Sequence, residues 1–231
     1  MKIKQGMILA AGLGERMQPI TLKIPKPLIQ IGNKNLLERA IDLLINHGVE
    51  EIAINVHYLG DQIKNFINKR KYKAKIIISD EQEKLLDTGG GILNATRFFK
   101  EPFMVINPDT LWSYAYANEL KNLEELYFKQ KKSCLLLVNK NLSFDSSFNG
   151  DFNLDNSVIS RNKSNQFVFT GLQILDQSVF HSIKDKVFSM NKIWNYLIEH
   201  NSLIGSESSQ KFYHLNTKKI YDKIICLNIT D

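Results

Sequence analysis

Two glycines, an arginine and a lysine stand close together near the start of this chain, in the stretch Leu9–Leu28 that reads LAAGLGERMQPITLKIPKPL. Gly12 and Gly14 lack the side chains that would keep a ligand from the backbone, so amide N–H groups there can point at phosphate oxygens. Arg16 adds a forked cation, and Lys26, set between Pro25 and Pro27, adds a point charge. These are the parts of a polyphosphate cradle. A G-x-G after a strand is also how an ordinary α/β domain makes a tight turn, and the two glycines alone do not choose between these readings. The stretch has no G-x-x-x-x-G-K-[ST], so it is not a P-loop, and it lacks the third glycine of a dinucleotide-binding turn. Phosphoryl and nucleotidyl transfer suit such a set, because alignment and charge neutralisation carry most of their catalysis. No Ser-His-Asp or Cys-His arrangement competes with that chemistry.

The longer pattern narrows the choice. L-A-A-G-x-G-x-R-M-x-P-x-T over Leu9–Thr21, followed by Pro25-Lys26-Pro27, resembles the signature of the sugar-phosphate nucleotidyltransferases. The resemblance runs along nearly the whole chain. Within the family, Leu85 to Gly91, Asn107 to Asp109, Phe169-Thr170-Gly171 and Asn55 to Leu59 are most similar to the N-acetylmuramate 1-phosphate uridylyltransferases. A guanylyltransferase for mannose or heptose 1-phosphate, or a cytidylyltransferase for phosphocholine, shares the same front half, and a nucleotide-sugar binding regulator without catalysis is the alternative from another class. The resemblance implies a Rossmann-like α/β three-layer sandwich with a nucleoside triphosphate and a sugar 1-phosphate as partners. The sugar phosphate, with a second pKa of about 6, is already anionic near neutrality and needs no general base.

It also implies roles by position. Ala10, Ala11, Gly12 and Gly14 would hold the nucleotide, Arg16 would neutralise the leaving phosphates, and Lys26 would sit over the α-phosphate as the second catalytic residue. Gly89 and Gly90 would lie against the nucleobase. Glu81 would read a ring N–H, although a solvated surface carboxylate is the plainer explanation of it. Asn107, Thr170 and Gly171 would contact the sugar, and Asp109 would hold Mg²⁺ through a carboxylate oxygen. Relatives end with W-x-D-x-G-T, whose aspartate is the second metal ligand. Here Phe212-Tyr213-His214-Leu215-Asn216-Thr217 puts His214 at the aspartate and Asn216 at the glycine. Imidazole is a poorer partner for Mg²⁺ and shifts preference toward Mn²⁺. Asn216 can take the left-handed conformation that glycine usually supplies.

Elements that would position these residues follow from periodicity. Met7–Ala10 reads as a first strand. Leu36, Leu37, Ala40, Ile41, Leu44 and Ile45 recur at helical spacing, opened by Asn35 with Glu38 in a capping-box pattern and closed by Gly48. Strands are expected at Glu51–Val56, Lys75–Ser79, Pro102–Asn107, Ser133–Asn139 and Gln166–Leu175, with helices at Leu59–Ile67, Gly89–Phe99, Ala117–Gln130 and Ser189–His200. That alternation implies right-handed βαβ units and a mostly parallel sheet covered on both faces. Ligands in such sheets lie beyond the carboxyl ends of the strands, where the turn after strand one and Asp109 after the strand at Pro102–Asn107 converge. The polar stretch 140–165 alternates like a small β hairpin inserted beside the mouth of the site. The tail carries a short strand around Phe212–Leu215 and a last helix from Thr217.

The chain of 231 residues, 43% hydrophobic and 23% charged, is expected to form a single domain over 1–231. Cys134 and Cys226 give neither a disulfide framework nor a zinc site. No run approaches the roughly 18 apolar residues of a membrane span, so a cytoplasmic protein without a membrane partner is expected. A net charge of +6 arises from lysines dispersed along the sequence, and the five arginines are scattered, so nucleic acid is not an expected partner. Nothing in the sequence fixes an oligomeric state.

Overall fold

Apolar residues alternate sides along the strands, and each side finds its own layer of helices. This is seen in a computed structural model that describes residues 2–81 and 83–227. β1 (Gln5–Leu9) leads through a two-stranded ribbon, β2 (Gln30–Ile31) and β3 (Lys34–Asn35), into α1 (Leu36–His47). β4 (Glu51–Val56), α2 (Gly60–Asn68), β5 (Lys75–Asp80), α3 (Asp87–Thr96) and β6 (Phe103–Ile106) follow as βαβ units. Then come α4 (Ala117–Gln130), β7 (Ser133–Asn139), β8 (Asn153–Asp155), β9 (Val158–Ser160), β10 (Phe167–Leu175), α5 (Met190–Glu199), β11 (Leu203–Ser208) and α6 (Lys218–Ile225).

The main sheet has nine strands in the order β5-β4-β1-β6-β10-β7-β11-β9-β8. β5, β4, β1 and β6 are parallel, β10 runs against both β6 and β7, and β11 is parallel to β7. On one face Ile8, Ile52, Ile54, Met104 and Ile106 pack with α1, α2 and α4. On the other, Met7, Ala53, Phe103 and Val105 pack with α3 and α5. Period-two burial on both sides produces the expected three layers. Among the described residues no helix is long and apolar enough to cross a membrane.

Local chemistry explains the best-defined helix. The Asn35 side chain accepts from the Glu38 amide at 2.8 Å, and Gly48 ends α1 at φ 106°. Thr217 caps α6 in the same way through the Ile220 amide. A third, smaller core joins Met17, Ile29, Ile31 and Leu36 to Leu111, Leu215, Ile220 and Ile224. It fastens the segment after β1 to the chain beyond β6 and to α6.

Two expectations about the later part of the chain do not hold. Residues 212–215 are not a strand: Phe212 and His214 make single bridges to Ser143 and Thr110 as the chain crosses over the end of β6. The strand of this region is β11, whose Leu203-Ile204-Gly205-Ser206-Glu207-Ser208 has little apolar alternation. It forms because the edge of β7 supplies a six-residue parallel register, an instance of tertiary pairing overriding local preference. The hairpin within 140–165 does form as β8 and β9, bridged to β11 at Ile204 and Val158, but it covers a sheet edge and none of its residues lines the cavity described next.

Candidate active site

β1 ends at Leu9, at the carboxyl end of the parallel strands, where a cavity of about 540 Å³ opens. Its wall brings Ala10, Ala11, Gly12, Gly14, Arg16 and Lys26 together with Asn107 and Asp109, which are distant in sequence. Gly14 has φ 68°, and a Cβ there would lie 2.9 Å from Thr21 Cγ2 and 3.2 Å from Lys26 Cβ. Glycine is thus required for the turn to close against the Lys26 segment. Thr21 Oγ1 donates to Gly14 O at 2.8 Å and Met17 is fully buried, so the turn is fixed from below. The amides of Gly12, Leu13 and Gly14 donate to no protein acceptor among the described residues. Arg16 is exposed, with no ion-pair partner among those residues. Free donors and a guanidinium on one wall are groups that can meet an anion.

The entrance to the turn is held by a residue without an assigned role in the sequence. Asn55, at the carboxyl end of β4 and 2% exposed, accepts from the Ala10 amide at 2.8 Å and donates to Glu81 Oε1 at 2.7 Å. Its signal was a polar residue inside the apolar run EIAINV.

Across the cavity Asp109 gathers two cationic or donor groups. Its Oδ2 receives Lys26 Nζ at 2.8 Å and lies 3.1 Å from His214 Nε2. Burial raises the carboxyl's pKa, and the charges and hydrogen bonds of Lys26 and His214 more than reverse this, holding it well below the usual carboxylate range. Around this point Asn107 Oδ1, Asp109 Oδ1, His214 Nδ1 and Asn216 Oδ1 are buried without a partner among the described residues. Such atoms are costly unless a ligand or ion meets them. His214 is stacked on Phe212 with ring centroids 5.8 Å apart, which sets the plane of its imidazole.

The family model described as "Nucleotidyl transferase" matches residues 5–143, which hold the cradle, Lys26 and Asp109. The chain belongs to the nucleotidyl transferase family. It is 29% identical to an N-acetylmuramate alpha-1-phosphate uridylyltransferase of Caulobacter vibrioides, over 92% of this chain and 91% of the relative. A protein of the same description from Neisseria meningitidis serogroup B is 34% identical over 78% of each. Among solved structures, HddC from Yersinia pseudotuberculosis complexed with GMP-PN superposes with a TM-score of 0.78 at 23% identity, covering 97% of this chain and 99% of that one, a likeness of fold.

Sugar-phosphate nucleotidyltransferases imply a divalent metal, and the donor set here fits one. His214 Nε2 lies beside Asp109 Oδ2, and Asp109 Oδ1 is a carboxylate oxygen buried without a partner among the described residues, the donor type a hard divalent cation takes. Among the described residues no group of three His, Cys, Asp or Glu side chains could hold a metal, so substrate oxygens, water or neutral protein oxygens would fill the rest of the shell.

Several residues expected at the nucleotide or the sugar are not brought into the cavity wall of this transferase. Glu81 is 4% exposed, so it is neither a solvated surface carboxylate nor free to meet a base: Oε1 takes Asn55, and Oε2 takes the Leu86 amide at 3.0 Å. It positions the cradle through Asn55. The amides of Gly89 and Gly90 both donate to Phe188 O, at 2.9 and 3.0 Å. A Cβ on Gly89 would stand 2.3 Å from the Phe188 ring and one on Gly90 2.3 Å from Lys186 O, so these glycines make room for protein. Instead Leu85, Asp87 and Thr88 from the same run line the cavity. Thr170 is 1% exposed and donates to Leu136 O, while its own carbonyl accepts from Thr110 Oγ1 at 2.6 Å. Gly171, at φ 96°, lets β10 approach so closely that a Cβ would be 2.9 Å from Asn107 Cβ. Both residues therefore act on the site by setting Asn107 and the Asp109–Thr110 backbone. His214 stands behind Asp109, outside the cavity wall, and Asn216 lines it. Asn216 is not among the residues with positive φ, so it does not substitute for a glycine's left-handed conformation.

Proposed function

We propose that this chain transfers the nucleoside monophosphate of a nucleoside triphosphate, UTP, to a sugar 1-phosphate, N-acetylmuramate 1-phosphate, and releases pyrophosphate. The observation that carries the reading is the single cavity lined by the unoccupied amides of Gly12–Gly14, the Arg16 guanidinium, and the Lys26–Asp109 pair. A phosphate oxygen of the sugar 1-phosphate attacks the α-phosphorus, and the bond from that phosphorus to the oxygen shared with the β-phosphate breaks, carrying its electrons away in pyrophosphate. The cradle amides and Arg16 hold the β- and γ-phosphates and balance the charge that develops on the leaving group. Lys26 neutralises the α-phosphate and the incoming anion, which would otherwise repel each other. Asp109 and His214 would hold Mg²⁺ or Mn²⁺, which when bound neutralises phosphate charge as a Lewis acid. Asn107 would meet the sugar, a role supported by its buried amide oxygen without a partner among the described residues and its place in the cavity wall.

Uracil and N-acetylmuramate are supported by similarity to the two uridylyltransferases, one of which matches over 92% of this chain. Pyrophosphate release from UTP, GTP and CTP against N-acetylmuramate, mannose, heptose and glucose phosphates, with products identified by mass spectrometry, tests this. Turnover with UTP and N-acetylmuramate 1-phosphate above the other pairs is expected. A guanylyl product would reassign the substrates, and tight nucleotide binding without turnover of any pair would make the chain a binding protein.

A further inference from the structure

We propose that Asn216, aimed by Asp145, supplies an amide oxygen to the divalent cation at Asp109; this rests on the metal reading of the site given above. Asn216 is 8% exposed and lines the cavity. Its Nδ2 donates to Asp145 Oδ2 at 2.7 Å across 71 residues of sequence. The other oxygen of Asp145 accepts from the Ser147 amide at 3.0 Å and from its hydroxyl at 2.6 Å. A carboxylate filled with donors in this way can only accept, so the NH₂ end of the Asn216 amide must face it and the carbonyl end must face away. That carbonyl oxygen, Oδ1, is buried and has no partner.

The backbone brings Asn216 beside Asp109. Leu215 N donates to Asp109 O at 2.8 Å, and Thr110 bridges His214, so residues 214–216 run alongside 109–110. Asp109 Oδ1 is likewise buried without a donor. Both oxygens belong to residues that line one cavity, and a divalent cation or a water in its shell would satisfy the two together. A neutral carbonyl oxygen is a good ligand for a hard divalent ion and adds no charge beside Asp145. Because the backbone at Asn216 does not have positive φ, its side chain is not explained by conformation.

Mn²⁺ binding to the substrate-free protein, followed by the electron paramagnetic resonance signal of free Mn²⁺, tests the assignment without reference to turnover. The wild type is expected to bind one ion, and Asn216→Ala to bind it roughly tenfold more weakly with an unchanged thermal midpoint. Asp145→Asn, which lets the amide turn over, should weaken binding by a similar factor. The double variant should be no weaker than Asn216→Ala, because Asp145 acts only through Asn216. Asn216→Gly serves in place of Asn216→Ala if the latter does not fold. Wild-type affinity in the Asn216 variant, additive losses in the double variant, or no Mn²⁺ bound by the wild type would each overturn the proposal. Since no nucleotide or sugar is present, failure of uridylyl transfer and failure of this assignment are read separately.

Discussion

The chain has two glycine-rich turns at the same end of its sheet, and they are opposites. The turn after β1 is held from beneath by Thr21 and Met17 and is open above: a Cβ on Gly12 would meet nothing within 4 Å. The turn at the start of α3 is filled by protein. Phe188 stands against Gly89, Lys186 O against Gly90, and the Asn55–Glu81 pair against Gly91. One glycine set leaves space for a ligand, and the other lets a distant segment and a positioning pair close onto the sheet. Composition does not separate them; what fills the space above each does.

Substitutions can break this comparison. The largest effect is expected from Lys26→Ala, which removes the one ammonium joined to Asp109 within the open site. Turnover should fall about 10²–10³-fold while the thermal midpoint moves by only a few degrees; a near-normal rate would remove Lys26 from the reaction. In the filled turn, Gly90→Ala sets a methyl group against a backbone carbonyl that cannot give way easily. It should destabilise the fold by about 1–3 kcal/mol, read as a lower urea midpoint, with KM for the triphosphate unchanged. In the open turn, Gly12→Ala should leave the midpoint where it is and raise that KM about tenfold, since the methyl group enters ligand space. Should the stability and KM effects of the two alanines change places, the assignment of the turns is reversed.

Much of this arrangement is legible locally. α1 is announced by Asn35, Glu38 and Gly48, and the parallel strands by their apolar runs. The convergence of Gly12, Arg16, Lys26 and Asp109 follows from strands that end at one edge of the sheet. What is not legible depends on contacts between distant residues. Nothing near Gly89 foretells that Phe188 will take its amide, and nothing near Asn216 foretells Asp145. β11 owes its existence to the exposed edge of β7, and Thr170 and Gly171 serve the site from behind because β10 packs so closely on Asn107. Glu81 reads as a surface carboxylate until Asn55 and the Leu86 amide are seen to enclose it.

The open turn and Asp109 are proposed to act as one site for uridylyl transfer to a sugar 1-phosphate. UTP labelled at its α-phosphorus, incubated with the protein, N-acetylmuramate 1-phosphate and Mg²⁺, tests it most directly. Label is expected in a nucleotide sugar, with an equal amount of unlabelled pyrophosphate. Label that stays in UTP, or that appears only in UMP, would contradict it.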